Sequence, residues 1–392
     1  MTAQRSQQFS LKYRPRKLSE VIAQDTVIST VRGMIKNALT HNKRIPGTLL
    51  LAGPHSTGKT SLARLIAYYI NCEQLTDEFE PCGTCESCKA MVGVIAGNGS
   101  HPDVTEIDAA SQRGINDIRA LKRMSELSPV TNYRVFILDE CHQITKDAWE
   151  ASLKSFEEPP ANTLFILCTT APEVLPKTIL SRATRFMFQP IPVGKTSLLL
   201  KMVARKEGCP LPKKYRLQIA SIVEGHPREA LNILEGVISY MESAGKRISL
   251  EEAFPKILAQ SDTYKSYVAA QDYMSAVLEG KYLPSFKALK GADNHTFFTT
   301  QIVNIMRMTL EGFVDRSLID RKAFWMMGKV KKIDQQIGRG HMKEYNQILK
   351  IFLDAQGKIK GYLLDPIAVL ESATIDAIQV IQGLAKSKSP RH

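Results

Sequence analysis

No apolar run in the sequence approaches the roughly 18 residues that a membrane-spanning helix needs. Its first residues, MTAQRSQQFSLKYRPRK, lack the apolar stretch of a secretory leader. The expectation is a protein made and kept in a cytoplasm, with no membrane partner. No internal repeat or low-complexity segment is present, and 44% hydrophobic with 23% charged residues excludes disorder and collagen-like repeats. Seven cysteines in a leaderless chain do not read as a disulfide framework. What the chain has in excess is positive charge. Fifty-two Lys and Arg against 39 Asp and Glu leave a net +13. That surplus favours polyanions such as nucleic acid, although composition alone does not separate such a role from a solvated surface. At about 150 residues per domain the length predicts two or three domains, each large enough to bury a core without staples.

The N-terminal half alternates short apolar runs with helical periodicity. Thr48–Leu51 reads as a buried strand ending at a glycine-rich turn, and Ser61–Ile70 as an amphipathic helix. A polar, cysteine-bearing loop spans Asn71–Lys89. The β-rich runs Asp103–Ile107, Arg134–Leu138 and Thr163–Cys168 have the length of strands buried on both faces. Strands alternating with helices predict a parallel α/β sheet. Glu158-Pro159-Pro160 should end the helix before the last run. After Pro190-Ile191-Pro192 the pattern is almost wholly helical. A second boundary is expected near Ser243-Ala244-Gly245-Lys246, then a helical block from Leu250 to about Ala385, then a short basic, disordered tail.

Gly53-Pro54-His55-Ser56-Thr57-Gly58-Lys59-Thr60 fits G-x-x-x-x-G-K-[ST] between a predicted strand and a predicted helix. The glycines let backbone amides curl around phosphate, and the helix N-terminus favours its charge. Lys59 would reach the β- and γ-phosphates and the Thr60 hydroxyl would ligate Mg²⁺. A chance glycine-rich turn has no reason to carry those flanks. Val135–Leu138 runs into Asp139 and Glu140 at a strand's C-terminal end, where ligands bind in open α/β sheets. Asp139 would complete the Mg²⁺ shell and Glu140 would orient or deprotonate the attacking water. The plainer alternative is an acidic helix cap. Together the two motifs predict an NTPase.

Cys72, Cys82, Cys85 and Cys88 form C-x₉-C-x₂-C-x₂-C. Four closely spaced thiolates suit a closed, structural Zn²⁺ site. An iron–sulfur cluster is the alternative, without redox machinery elsewhere to support it. Cys141, Cys168 and Cys209 read as packing residues.

In order along the chain, these residues resemble the DNA polymerase III γ/τ family, the ATPases of sliding-clamp loaders. The resemblance runs from about Phe9 to Leu231. It takes in Tyr13-Arg14-Pro15, Glu20-Val21-Ile22-Ala23-Gln24, the phosphate loop and the four-cysteine insertion. Asp108-Ala109-Ala110-Ser111, Leu138-Asp139-Glu140 and Phe156-Glu157-Glu158-Pro159-Pro160 follow. Thr169-Thr170, Leu180-Ser181-Arg182 and Gly225-His226-Pro227-Arg228-Glu229-Ala230-Leu231 complete it. It implies a RecA-like AAA+ domain over 1–190 with the zinc insertion at about 71–89. A helical lid over 191–246 and an all-α collar over 247–392 would follow.

The resemblance also implies roles. Thr170 would be the first sensor near the γ-phosphate, and Arg182 an arginine finger reaching a neighbouring subunit's ATP. Arg228 would be the second sensor, and Tyr13, Val21 and Ile22 would wall the adenine. Gly53, Thr57, Gly58 and Ser61 would cradle the nucleotide with Lys59 and Thr60. An arginine in either position is also a common surface residue. Implied partners are other subunits of a ring (a pentamer in the family), a sliding clamp, primer–template DNA and a DNA polymerase. His55-Ser56 stands where the family often shows Arg-Gly, Ala23 replaces a common glycine, and Ala183 follows Arg182 in place of cysteine. These departures remove no catalytic group and suggest a divergent member from a bacterium or a phage-infected bacterial cell.

Beyond Leu250 the match is too weak to use. Arg321-Lys322, Lys329, Lys331-Lys332, Arg339 and Lys343 surround Trp325. They read either as a template-strand contact or as a solvated helix face with a core tryptophan. Two rival functions stay open. Asp139-Glu140-Cys141-His142 also fits the D-E-x-H of helicases, against which no second RecA-like domain follows residue 190. A non-motor ring scaffold would be expected to lose Lys59 or the acidic pair.

Overall fold

The computed structural model describes residues 8–41, 44–223, 225–243, 248–290, 295–314, 342–360 and 365–387. Those residues fall into two compact units. One comprises Met1–Leu211 with Glu224–Glu235, the other Pro212–Val223 with Gly236–His392.

The first unit is built on a five-stranded sheet of β1 (Thr48–Ala52), β2 (Val104–Asp108), β3 (Arg134–Asp139), β4 (Thr163–Thr169) and β5 (Thr184–Met187). The order is β2-β3-β4-β1-β5 and every pair is parallel. The period-two geometry of a strand sends alternate side chains to opposite faces. Leu49, Leu51, Val135, Ile137, Leu164 and Ile166 therefore join one core, and Leu50, Phe136, Leu138, Phe165 and Leu167 the other. The first core is closed by α2 (Asp25–His41), α3 (Lys59–Ile70) and α4 (Glu86–Ala96). The second is closed by α5 (Ile115–Ser125) and α6 (Lys146–Glu157). Because helices cover both faces, the three central strands are apolar through their middles rather than alternating. Phe165 meets Phe156 edge-on at 4.8 Å and stacks on Phe136 at 5.3 Å. Each fully buried leucine of β1 contributes roughly 1.5–3 kcal/mol by its burial.

All four expected strands form. The fifth, Thr184–Met187, was not anticipated in the sequence: it is an edge strand of four residues burying Phe186 alone, too short to show a period. The helix expected from Ser61 starts two residues sooner because Gly58, at φ +98°, caps it in the left-handed conformation open to glycine. The cysteine loop closes before Lys89, since α4 begins at Glu86 with the Cys85 sulfur accepting the Cys88 N–H. As expected, α6 stops at Glu157, before Pro159-Pro160. The short α1 (Phe9–Lys12) and α7 (Lys177–Arg182), with α8 (Val193–Lys206), complete the unit up to residue 211; α9 (Lys213–Ile222) and α10 (Pro227–Ser243) follow.

Among the described residues no strand follows Met187. The second unit's core lies among α12 (Asp262–Leu278), α13 (Tyr282–Lys290), α14 (His295–Val314), α15 (Met342–Lys360) and α16 (Pro366–Ser387). Tyr273 anchors it, its ring edge-on to Phe298 at 5.4 Å and its hydroxyl 2.5 Å from the Thr374 hydroxyl. Before these comes α11 (Leu250–Leu258), started by a reciprocal cap between Ser249 and Glu252. Of the basic cluster, Lys343 is exposed, whereas Arg321, Lys322, Trp325, Lys329, Lys331, Lys332 and Arg339 lie outside the described residues. No described helix is long and apolar enough to cross a membrane.

Candidate active site

The C-terminal ends of β1, β3 and β4 lie side by side at the middle of the sheet. After β1 the chain enters the glycine-rich loop. Gly53 has φ +148°, and a Cβ there would sit 2.5 Å from the Phe188 carbonyl oxygen, so the loop leaves the sheet through a space only glycine fits. Thr57 closes the loop on itself by donating to the Pro54 carbonyl at 2.8 Å. Lys59 is 6% exposed, and its ammonium donates to the carbonyls of Gly53 at 2.8 Å and Pro54 at 2.7 Å. Burial lowers its pKa, and the charge of Glu140 is the largest influence opposing that.

From β3, Asp139 accepts the Thr60 hydroxyl at 2.8 Å and the Glu140 N–H at 3.0 Å. Burial holds its carboxyl above the usual range, against those two hydrogen bonds. A hydroxyl beside a carboxylate is a hard oxygen donor set of the kind Mg²⁺ takes. The N-terminus of α3 with the Lys59 ammonium suits a polyphosphate. Glu140 itself has φ +47°, a left-handed turn that is rare outside glycine and concentrated at functional sites. It turns the carboxylate toward the loop. Thr170, just past β4, donates to Glu140 Oε2 at 3.3 Å. His142 Nδ1 lies 3.4 Å from the same oxygen and His55 Nδ1 lies 3.4 Å from Oε1.

The four cysteine sulfurs lie within 4.8 Å of one another. Cys82 and Cys88 sulfurs are 3.7 Å apart and those of Cys72 and Cys88 are 3.5 Å apart. A tetrahedral ion with 2.3 Å bonds to sulfur needs an edge of about 3.8 Å, so the donor set fits one. Backbone N–H groups of Cys85 and Thr84 point at the Cys82 sulfur and lower its pKa to about 6, favouring thiolate.

Residues 29–192 match the family model described as DNA polymerase III, delta subunit. The chain is 33% identical over 386 residues to the DNA polymerase III subunit gamma/tau of Mycoplasma pneumoniae, covering 97% of this chain and 52% of that one. It is 35% identical over 253 residues to the DNA polymerase III subunit tau of Bacillus subtilis, covering 64% and 42%. The chain is similar to DNA polymerase III γ/τ subunits along nearly its whole length. It spans about half the length of the curated relatives it matches. Among solved structures, the RuvB Holliday junction branch migration motor of Thermotoga maritima aligns with a TM-score of 0.47 at 20% identity, over 64% of this chain and 73% of that one.

Of the positions carried over from the γ/τ family, the structure brings Gly53, Thr57, Gly58, Lys59, Thr60, Asp139, Glu140 and Thr170 to one place. Val21 lies beside them, 3.7 Å from where a Gly58 Cβ would be. Ile22 and Ser61 are half-buried nearby in sequence. Three positions stand apart, since among the described residues no hydrogen bond or ion pair joins them to that cluster. The Tyr13 hydroxyl donates to Glu207, just past α8. Arg182, at the end of α7 with its side chain 54% exposed, pairs with Glu157 of α6. Arg228 is exposed in the first turn of α10. The sequence reading gave no role to His55 or His142. His142 could have been found through the D-E-x-H spacing, but no local pattern announces that a loop histidine will face Glu140.

Proposed function

We propose that the chain is the ATPase motor subunit of a DNA sliding-clamp loader, a RecA-like AAA+ domain followed by a helical lid and a helical collar that assembles a ring. The observation that carries the reading is the Thr60–Asp139 hydrogen bond of 2.8 Å beneath the Lys59 loop, with Glu140 beside it. These groups converge from two strand ends, β1 and β3, where a phosphate and a metal ion would bind together. Lys59 would hold the β- and γ-phosphates, with Gly53, Thr57, Gly58 and Ser61 forming the cradle and Val21, Ile22 and Tyr13 walling the base. Thr60 and Asp139 would hold Mg²⁺, which would supply charge neutralisation for the phosphates. Glu140 orients and deprotonates the attacking water, and Thr170 keeps Glu140 and the γ-phosphate in register. Arg228 senses the nucleotide from the lid. Arg182, exposed at the end of a helix, would serve a neighbouring subunit's nucleotide, which makes hydrolysis depend on assembly.

The four cysteines would hold a structural Zn²⁺. Ring partners, clamp, primer–template DNA and polymerase follow from the family, as does a bacterial or phage-infected cytoplasm. ATP would bind the clamp-opening arrangement better than the alternative and so shift the population toward it. The test is the ATPase rate of the purified chain with and without primer–template DNA and candidate sliding clamps. Stimulation by clamp and DNA together supports the loader. Stimulation by DNA alone with strand separation would instead support a helicase, and no turnover under any condition, ring partners included, overturns the motor reading.

A further inference from the structure

His55 stands in the phosphate loop where it touches the other half of the site. Its Nδ1 lies 3.4 Å from Glu140 Oε1, while Thr170 Oγ1 and His142 Nδ1 face Oε2 at 3.3 and 3.4 Å. The two histidines are not equivalent. His142 has a 17% exposed side chain and is held by the Thr169 hydroxyl at 3.2 Å and the Gln143 amide at 3.1 Å. His55 is 69% exposed and sits on the phosphate-binding loop itself. Ser56 next to it takes φ +58°, a left-handed turn that a serine adopts at some cost.

A general base works only when its carboxylate is aimed at the water, and the Glu140 side chain, 26% exposed, has room to swing. Contacts on both oxygens fix the plane of the carboxylate. We propose that His55 is a positioning residue for Glu140, steering its Oε1 from the phosphate loop so that the aim of the base follows the conformation of the loop that holds the nucleotide. This rests on the ATPase reading above. Contacts of 3.3–3.4 Å are longer than a strong hydrogen bond. Each therefore steers without locking, and losing one changes the rate of the chemical step rather than the binding of nucleotide.

The experiment is steady-state ATP hydrolysis by the full chain, with whatever ring partners, clamp and DNA give the wild-type rate. His55→Ala should lower kcat about tenfold, or about 1.4 kcal/mol, with the KM for ATP within twofold and an unchanged melting temperature. His55→Asn, whose amide N–H can donate to the same carboxylate oxygen, should recover most of the loss. The ring resonances of His55 should shift in Glu140→Gln, a readout independent of turnover. The proposal is overturned if His55→Ala turns over like wild type, if only KM moves, if asparagine restores nothing, or if the resonances ignore Glu140→Gln. If wild type hydrolyses no ATP, or Lys59→Ala hydrolyses it normally, the ATPase reading itself fails and takes this proposal with it.

Discussion

Replacing Glu140 by glutamine separates folding, binding and chemistry in one variant. The side chain keeps its size, and its amide oxygen still accepts the Thr170 hydroxyl at the place where Oε2 now lies. What is lost is the charge facing His55 and His142. Pairs this exposed are worth roughly 0–1 kcal/mol each, and the His55 pair, with a 69% exposed imidazole, belongs at the bottom of that range. The fold should therefore change by less than about 1 kcal/mol. Loss of a general base costs about 10²–10⁴ in rate, or roughly 2.7–5.4 kcal/mol of activation energy at 1.36 kcal/mol per tenfold. Chemistry loses several times more than stability, so the variant should be folded, bind ATP, and barely hydrolyse it. One secondary effect has a definite sign. Glu140 is the foremost charge holding up the Lys59 pKa against burial. In the glutamine variant Lys59 therefore loses its proton at lower pH, and nucleotide binding should fall away earlier as the pH rises. Turnover by phosphate release, binding with a fluorescent ATP analogue from pH 7 to 10, and melting temperature measure the three. Turnover within threefold of wild type would refute the assignment of Glu140 as base, and lost binding at neutral pH in a folded variant would refute the separation of roles.

Asp103→Ala should cost about 3–5 kcal/mol, because it removes a fully buried carboxylate and leaves the half-buried Arg134 guanidinium and the N–H groups of Val130 and Thr131 without it. Burial pushes the Asp103 pKa up, but those N–H bonds, the Thr131 hydroxyl and Arg134 together hold it below 3.8. Its stabilisation is thus full above the usual carboxylate range and lost as the pH falls through the depressed value, so denaturant melts should show the gap to wild type closing in acid. Asp139 runs the other way. With its pKa raised by burial, the ionised form is a liability at neutral pH, and Asp139→Asn should raise nucleotide-free stability while abolishing hydrolysis, an advantage that fades below the raised pKa. Mass spectrometry under native conditions should find one Zn²⁺ per chain, and Cys85→Ser or strong chelation should release it and lower the melting temperature of the sheet unit. If Arg182 serves a neighbour, Arg182→Ala alone should lose about 10³-fold or more in kcat. Mixing it with Lys59→Ala should restore part of that rate, and a mixture as inactive as its components would place Arg182 elsewhere.

Which parts of this site are legible in the sequence follows from the distance along the chain over which each interaction is specified. The loop from Gly53 to Thr60 can be read because its parts are local: two glycines at positive φ, a lysine and a hydroxyl at fixed spacing, and an apolar strand in front. The acidic strand end is local in the same way, and the parallel sheet makes the two meet. Thr60 and Asp139, 79 residues apart, come within hydrogen-bond reach because both lie at the C-terminal ends of central, parallel strands. The rest is decided by tertiary placement that no periodicity encodes. The Tyr13 hydroxyl finds its partner in Glu207, 194 residues away, a pairing that no local pattern announces. Strand β5 is invisible because four residues at a sheet edge bury one side chain. His55 stands out in the sequence only as a departure from Arg-Gly, and only the folded loop shows it opposite Glu140. That asymmetry has a physical cause. The chemical groups are confined to a few local spacings because the phosphate and the metal dictate them. What aims those groups can come from any side chain that the fold happens to bring within about 3.5 Å. Chains sharing the loop and the acidic pair can thus differ in how the base is held. In this one the difference sits at His55 and Ser56, on the loop that would hold the phosphates and within reach of the carboxylate that would attack through water.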